Sequence, residues 1–227
     1  TMKIDGYLAA NAAILDQHDP EGRVGLYLDE WGTWYDPEPG HEPGFLYQQN
    51  SLRDALVAAL NFNIFHRHTK RLHMANIAQT VNVLQAVVLT DQQKMILTPT
   101  YHAFEMYRPF KDATFIPVGM QDVPDYTLGD ITVPAVSVSA AQTGDGALLL
   151  ALVNLDPRNS FEISASLYTF SASTASGRTL TATAMDAHNT FEEPETVMPV
   201  AIEVTVDGDS ISIELPAKSV TVVTIKP

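Results

Sequence analysis

The sequence contains no cysteine, which excludes a disulfide framework, a thiolate nucleophile and any cysteine-ligated metal. The compartment stays open on that count, since large secreted proteins also manage without disulfides. Basic residues are scarce, 13 Lys and Arg against 27 Asp and Glu, for a formal net charge of -14. A chain so acidic repels phosphate backbones and anionic lipid surfaces, so nucleic acid and membrane are excluded as expected partners. Long apolar runs are missing too: none approaches the ~20 residues that cross a bilayer. Tryptophan occurs only twice, and not after Trp34. The amino terminus, Thr1-Met2-Lys3, offers neither a methionine at position 1 nor a basic-then-apolar leader, and reads as the start of a fragment. A cytoplasmic location is expected, with secretion as the alternative. What the chain does have is 227 residues, 45% of them apolar and only 18% charged, enough for one large packed domain or two modest ones.

Two halves differ in habit. Before position 116 there are 9 basic and 13 acidic residues, and from there on 4 basic and 14 acidic, while both tryptophans and six of the seven histidines fall in the first half. The boundary is expected near residues 111 to 120, giving units of 1–111 and 112–227.

In the first unit, Leu52, Ala55, Leu56, Ala59 and Leu60 recur at helical spacing, with Ser51 as N-cap and Asp54 three residues on. Tyr7 to Leu15 is Ala-rich and predicted helical. The apolar run Val24 to Leu28 predicts a strand buried on both faces, Leu72 to Ile77 a second strand, and Thr98-Pro99 opens a third helix through Tyr101, Phe104 and Tyr107. Helix, strand, helix, strand, helix is the rhythm of a parallel α/β fold.

The second unit switches to period 2. Ile211, Ile213 and Leu215 alternate with polar residues, further strands are predicted over Gly146 to Leu155, Phe161 to Leu167, Thr179 to Met185 and Ser219 to Ile225, and Asp207-Gly208-Asp209 reads as a hairpin turn. Short strands punctuated by turns predict an antiparallel β-sandwich.

The stretch that carries chemistry is Leu28-Asp29-Glu30-Trp31-Gly32-Thr33-Trp34-Tyr35, an acidic pair at the C-terminal end of a predicted parallel strand followed at once by aromatics. In a (β/α) barrel that edge presents catalytic groups. On strand period 2, Glu30 shares a face with Leu26 and Leu28 while Asp29 points the other way with Tyr27, making Glu30 the expected interior carboxylate. A carboxylate beside tryptophan rings suits sugar chemistry, although an acidic pair ending a strand also serves as a helix cap or loop charge.

Three further segments extend the pattern: Met74-Ala75-Asn76-Ile77-Ala78-Gln79-Thr80-Val81-Asn82, Leu97-Thr98-Pro99-Thr100-Tyr101-His102, and Ala187-His188-Asn189-Thr190-Phe191 with the closing Leu215-Pro216-Ala217-Lys218-Ser219-Val220-Thr221-Val222. With the first motif they resemble the C-terminal half of family 51 glycoside hydrolases, the α-L-arabinofuranosidases, through nearly the whole chain. The resemblance implies the C-terminal part of a (β/α)8 TIM barrel followed by a jelly-roll-like β-sandwich. It implies Glu30 as catalytic nucleophile at the end of barrel strand seven, Gln79 as a contact to the arabinose, and Trp34 bordering the substrate cleft. Trp31 is either a second sugar contact or core packing. Where this chain has Gly32 the family more often has Asn, a variation that bears on the aglycone side and leaves the nucleophile assignment intact.

A retaining double displacement on terminal arabinofuranosyl groups of hemicellulose or arabino-oligosaccharides follows from that resemblance, with no metal or organic cofactor. The acid/base, in the family a Glu preceded by Asn at the end of strand four, lies upstream of this chain. An N-terminal half is therefore an expected partner, as another chain or a missing segment, and so is a homo-oligomer. A barrel needs ~250 residues, and about 115 precede the sandwich. Asp36, Glu38 and Glu42 read as solvated loop charges, and Tyr35 and the Pro37 to Phe45 loop either line the cleft or form an ordinary βα loop. His66, His68 and His73 lack zinc-motif spacing and suit a helix C-terminus. Asn76 and Asn82 are expected to bind backbone, and His102 and Glu105 to be structural. The rivals are a non-catalytic carbohydrate-binding or assembly protein, and a barrel glycosidase of other specificity such as a xylosidase or endoglucanase.

Overall fold

The computed structural model describes residues 1–168 and 170–227. Helix α1 (Lys3–His18) leads into strand β1 (Leu26–Trp31), helix α2 (Leu52–Arg67) and strand β2 (Leu72–Ile77), with β1 and β2 parallel. Arg71, buried at the entry to β2, fixes the chain before β1: its guanidinium donates to the Asp19 carboxylate at 2.9 Å, the Asp19 carbonyl at 2.6 Å and the Val24 carbonyl at 3.0 Å. A hairpin of β3 (Val88–Asp91) and β4 (Lys94–Leu97) follows, then helix α3 (Pro99–Tyr107). Helix α3 starts where Thr98 predicts it, with the Thr98 side chain accepting from the Tyr101 N–H and Pro99 in the first turn. Ser51 and Asp54 form a reciprocal capping box on α2.

The remaining strands are β5 (Thr114–Ile116), β6 (Asp125–Leu128), β7 (Ile131–Pro134), β8 (Val136–Gln142), β9 (Leu148–Asn154), β10 (Phe161–Ser166), β11 (Thr174–Leu180), β12 (Val200–Ile202), β13 (Thr205–Asp207), β14 (Ser210–Leu215) and β15 (Ser219–Lys226). They form a six-stranded sheet in the order β12-β11-β15-β9-β8-β5, a three-stranded sheet β10-β14-β13, and a β6-β7 pair. The turn between β13 and β14 is two residues long, Gly208 and Asp209, with Gly208 at φ +60.

The six-stranded sheet is covered on both sides, which explains why β9 reads Leu-Leu-Leu-Ala-Leu-Val with no alternation. Leu149, Ala151 and Val153 join Val220 and Val222 of β15 in one core with α2 and α3. Leu150 and Leu152 join Val223 and Ile225 in a second core with Ile211, Ile213 and Leu215 of the three-stranded sheet. Each such leucine contributes about 1.5–3 kcal/mol by leaving water. The sheet therefore packs directly on α2. Polar ties reinforce that contact: Asn63 Nδ2 donates to Ser137 Oγ at 3.1 Å, and Arg178 on β11 forms a two-oxygen pair with Glu105 on α3 at 2.8 and 2.9 Å.

His66 sits in the same interface, stacked on Phe110 with ring centroids 4.9 Å apart and its Nδ1 2.8 Å from Ser139 Oγ. Burial pushes its pKa down to about 4, so the folded state holds it neutral while the unfolded chain protonates it near its ordinary 6.5. Stability is lost as pH falls from 6.5 towards 4, by on the order of 2–3 kcal/mol. Denaturation midpoints of wild type and His66→Gln between pH 7 and pH 4.5 check this: the variant should show the shallower acid dependence.

Two expectations are corrected. The first strand is not buried on both faces: Leu26 and Leu28 pack on the helical core, whereas Tyr27 is exposed. The reason is that, among the described residues, helices cover only one side of the β1-β2 pair. The strand predicted over Thr179 to Met185 instead runs Thr174–Leu180, paired with β15 from Thr174↔Lys226 to Leu180↔Val220.

Candidate active site

The C-terminal ends of β1 and β2 lie side by side, Trp31 opposite Ile77, and the Ala78 N–H donates to the Trp31 carbonyl at 2.8 Å. That bond brings the segment carrying Glu30 and the segment carrying Gln79 to one sheet edge, with both side chains exposed. The Ala78–Gln79 peptide is cis. Gly32 leaves β1 at φ +150, and a Cβ there would meet the Ala78 carbonyl oxygen at 3.2 Å. Glycine thus lets the exit from β1 pass beneath that carbonyl.

Glu30 reaches this edge for a reason other than regular alternation. Leu26, Leu28 and Trp31 all bury toward the helices, and the register between Leu28 and Trp31 is irregular, with three steps on β1 against two on β2. The extra residue is accommodated at Asp29 and Glu30, both exposed. Glu30 therefore does not share the face of Leu26 and Leu28, as strict period 2 predicts. The bulge turns it to the open side, opposite its buried neighbour Trp31.

Trp31 is corrected as a sugar contact. It is 6% exposed, edge-on to Phe62 and Phe65 at 5.6 and 5.4 Å and stacked on Phe104 at 6.1 Å. Its ring completes an aromatic cluster between β1, α2 and α3, and its indole N–H has no acceptor among the described residues. Trp34, by contrast, is 66% exposed.

The loop that carries Trp34 is held from beneath by buried amides that sequence reasoning missed. The Thr33 N–H donates to Gln85 Oε1 at 2.9 Å, and the Tyr35 N–H to Gln48 Oε1 at 2.9 Å. Gln48 Nε2 returns to Thr33 Oγ1 at 3.0 Å, while Gln85 Nε2 donates to the Asp54 carbonyl at 2.7 Å. Thr33 is thus pinned to Gln85 in the segment before β3 and, through its hydroxyl, to Asp54 on α2, while Tyr35 is pinned to Gln48 in the loop before α2. The Arg53 guanidinium lies 3.9 Å from the Tyr35 ring centre, and burial holds the Tyr35 hydroxyl above its ordinary pKa, with Asp54 adding to the rise and Arg53 opposing it. Single glutamines in loops carry no periodic or motif signal, which is why neither could be found from sequence.

Beside Gln79 opens a cleft of about 710 Å3. His41, Glu42, Phe45 and Tyr47 from the β1–α2 loop line it, as do Asn82, Asp91 of the β3-β4 hairpin and Phe191. The His41 to Phe45 part of the Pro37 to Phe45 loop is therefore a wall of this cleft. Asn82 binds backbone as expected, accepting from the Thr90 N–H at 2.8 Å and donating to the Thr90 carbonyl at 3.2 Å. Glu38 accepts from the Gln49 N–H at 3.0 Å and so closes the loop on itself. His68 Nε2 lies 2.7 Å from Asp5, and His73 packs edge-on to Tyr27 at 6.1 Å. His66 on α2, His68 at its C-cap and His73 on β2 thus have separate environments.

At the level of fold, this chain is that of a known group of glycoside-hydrolase structures. It superposes with a TM-score of 0.96 on the crystal structure of the GH51 arabinofuranosidase from Xanthomonas axonopodis pv. citri, at 48% identity over 99% of this chain and 45% of that one. An arabinofuranosidase from Thermotoga maritima, at 22% identity, shares the fold with a TM-score of 0.84, covering 99% of this chain and 48% of that one. In sequence, the chain is 42% identical to an intracellular exo-α-L-arabinofuranosidase of Bacteroides ovatus, over 96% of this chain and 43% of that protein. Residues 29–219 match the model of the α-L-arabinofuranosidase C-terminal domain, and the chain belongs to that family. It spans less than half the length of these relatives.

Proposed function

We propose that this chain supplies the nucleophile side of the active site of a retaining α-L-arabinofuranosidase. Glu30 attacks the anomeric carbon of a terminal L-arabinofuranosyl unit, the C–O bond to the leaving group breaks, and a covalent glycosyl-enzyme forms that water resolves. Gln79 hydrogen-bonds the bound arabinose and Trp34 borders the cleft. The observation that carries this reading is the shared edge: Glu30 and Gln79 stand at the paired C-terminal ends of two parallel strands, locked by the bond from Ala78 to Trp31. Catalytic groups of (β/α) barrels stand at that edge.

In the same reading β1, α2, β2 and α3 are the last units of a (β/α)8 barrel, residues 1–111, and residues 112–227 form the β-sandwich. The open face of β1 and β2, with Tyr27 and Met74 exposed, is where the earlier strands pack. The second carboxyl, acid and then base, comes from that preceding part, about 5–5.5 Å from Glu30 in a retaining site. The substrate is the arabinofuranosyl-bearing oligosaccharide or hemicellulose, the assembly a homo-oligomer, and the location intracellular, as the name of the Bacteroides relative supports.

The test is to treat the enzyme containing this chain with a mechanism-based arabinofuranosyl inactivator and map the adduct by peptide mass spectrometry. An ester on Glu30 is expected. An adduct on another carboxyl, or turnover of aryl xyloside in preference to aryl arabinofuranoside, would replace this assignment.

A further inference from the structure

We propose that the connection between β11 and β12, residues 181–199, is a strap that positions the active site, and that Asn189 is its positioning residue. This deepens the arabinofuranosidase reading and rests on it for the roles of Gln79 and Trp34. Loops longer than about 12–15 residues without secondary structure are uncommon in compact domains and are usually functional or disordered. This one carries no helix or strand among the described residues, yet it is tied down at two places on the part of the chain that holds Glu30 and Gln79.

The first anchor is the N-terminus of α2. The first N–H groups of a helix have no partner within it. Here the Leu52 N–H donates to the Ala187 carbonyl at 2.9 Å and the Arg53 N–H to the Met185 carbonyl at 3.0 Å, so the strap satisfies the two donors that the capping box leaves open. Leu52 is fully buried, and without those acceptors its N–H would be stranded. The same turn carries Asp54, which holds Thr33 beside Trp34.

The second anchor is Asn189, 3% exposed. Its Nδ2 donates to the Leu97 carbonyl at the end of β4 at 2.9 Å and to the Val197 carbonyl at 3.1 Å, and its Oδ1 accepts from the Val197 N–H at 2.7 Å. One side chain thus closes the strap on itself and fastens it to the β3-β4 hairpin. Two residues on, Phe191 packs on Ala86, Leu89 and Ile96, the last two paired across that hairpin. The hairpin in turn holds the segment after β2, because the Thr90 N–H donates to Asn82 Oδ1 at 2.8 Å and Asn82 Nδ2 donates to the Thr90 carbonyl at 3.2 Å. Asn82 lies three residues from Gln79. One arm of the strap therefore ends beside Trp34 and the other beside Gln79. Apolar packing of the sheet on α2 is already supplied by Leu149, Ala151 and Val153, and needs neither the carbonyls at α2 nor the amide at Leu97.

The experiment compares, in the full-length enzyme, Asn189→Leu, close to Asn in size but lacking its amide, with Ile213→Ala in the second core, at a temperature where both remain folded. Hydrogen exchange of peptides over residues 79–97 should rise at least about tenfold in Asn189→Leu, while exchange over β9 stays within about twofold of wild type. KM for an aryl α-L-arabinofuranoside should rise at least about fivefold, with kcat lowered less than about twofold. Ile213→Ala should lower the denaturation midpoint and leave KM within about twofold of wild type. Asn82→Ala should itself raise KM, and Asn189→Leu added to it should raise KM by no more than about twofold further, since both act through the hairpin. Should Asn189→Leu fail to fold, Asn189→Ala, whose missing amide water can replace in part, is read in the same way. Unchanged exchange over 79–97 would overturn the strap. Raised exchange with unchanged KM, an equal KM rise in Ile213→Ala, or independent effects of Asn82 and Asn189 would overturn its action on the site. Wild type inactive on every arabinofuranoside would instead overturn the activity reading, and the exchange measurement tells that failure from failure of the strap.

Discussion

Glu30→Gly in the enzyme containing this chain is expected to lower turnover of an aryl α-L-arabinofuranoside by at least about 10^4-fold, with added azide restoring release of the aryl group. Removing the carboxylate deletes the covalent route and leaves a space at the anomeric carbon. Azide can enter from that face, form the N–C1 bond as the C1–O bond breaks, and yield a glycosyl azide of inverted configuration. The leaving oxygen still receives its proton from the unaltered second carboxyl. Asp29 is the necessary control, since it shares the bulge with Glu30 and is exposed as well. Asp29→Asn should retain far more activity than Glu30→Gly. If the order is reversed, and azide rescues Asp29→Gly instead, the nucleophile is Asp29.

That control matters because Glu30 is the expected residue in the sequence on a physical ground that the structure does not share. Strict alternation puts it with Leu26 and Leu28, and those leucines face the helices. Sequence periodicity assumes one residue per partner, and a bulge changes the phase without any compositional mark. For Trp31 the sequence leaves sugar contact and core packing both open, and the same bulge decides for the core by sending it into Phe62, Phe65 and Phe104. What was legible are the features with local chemistry of their own. Ser51 with Asp54 three residues on, Thr98 before Pro99, and Gly208 in a two-residue turn each act within one turn of chain. The β3-β4 hairpin lacks such a mark. Its turn residues are Gln92 and Gln93, with Gln92 at φ +52, where Asn or Gly would have announced it. Strand β11 likewise opens with Thr, Ala and Ser and is specified by its partner β15 rather than by its own apolar pattern.

The capping box also predicts the largest stability effect near the site. Asp54 is fully buried. Its Oδ2 accepts from the Ser51 N–H at 2.8 Å, Ser51 Oγ at 3.2 Å and Arg53 at 3.1 Å, while Oδ1 accepts from Thr33 Oγ1 at 2.8 Å. The carboxylate lies in the first turn of α2, where the helix dipole favours negative charge. Asp54→Ala removes these charge-assisted bonds and strands buried donors, so it should cost about 3–4 kcal/mol. Ser51→Ala, which loses the cap and one of the four donors to Asp54 but leaves the carboxylate in place, should cost about 1 kcal/mol. The two are in contact, so the double variant should cost less than the sum. Function should follow stability here because Asp54 also holds Thr33, one residue from Trp34. At a temperature where Asp54→Ala remains folded, KM for arabinofuranosides should rise more than kcat falls if Trp34 borders the cleft. Denaturation midpoints and steady-state kinetics on the same preparations check both parts. An Asp54→Ala protein within about 0.5 kcal/mol of wild type would mean that the buried clamp joining α2 to the Trp34 loop contributes little.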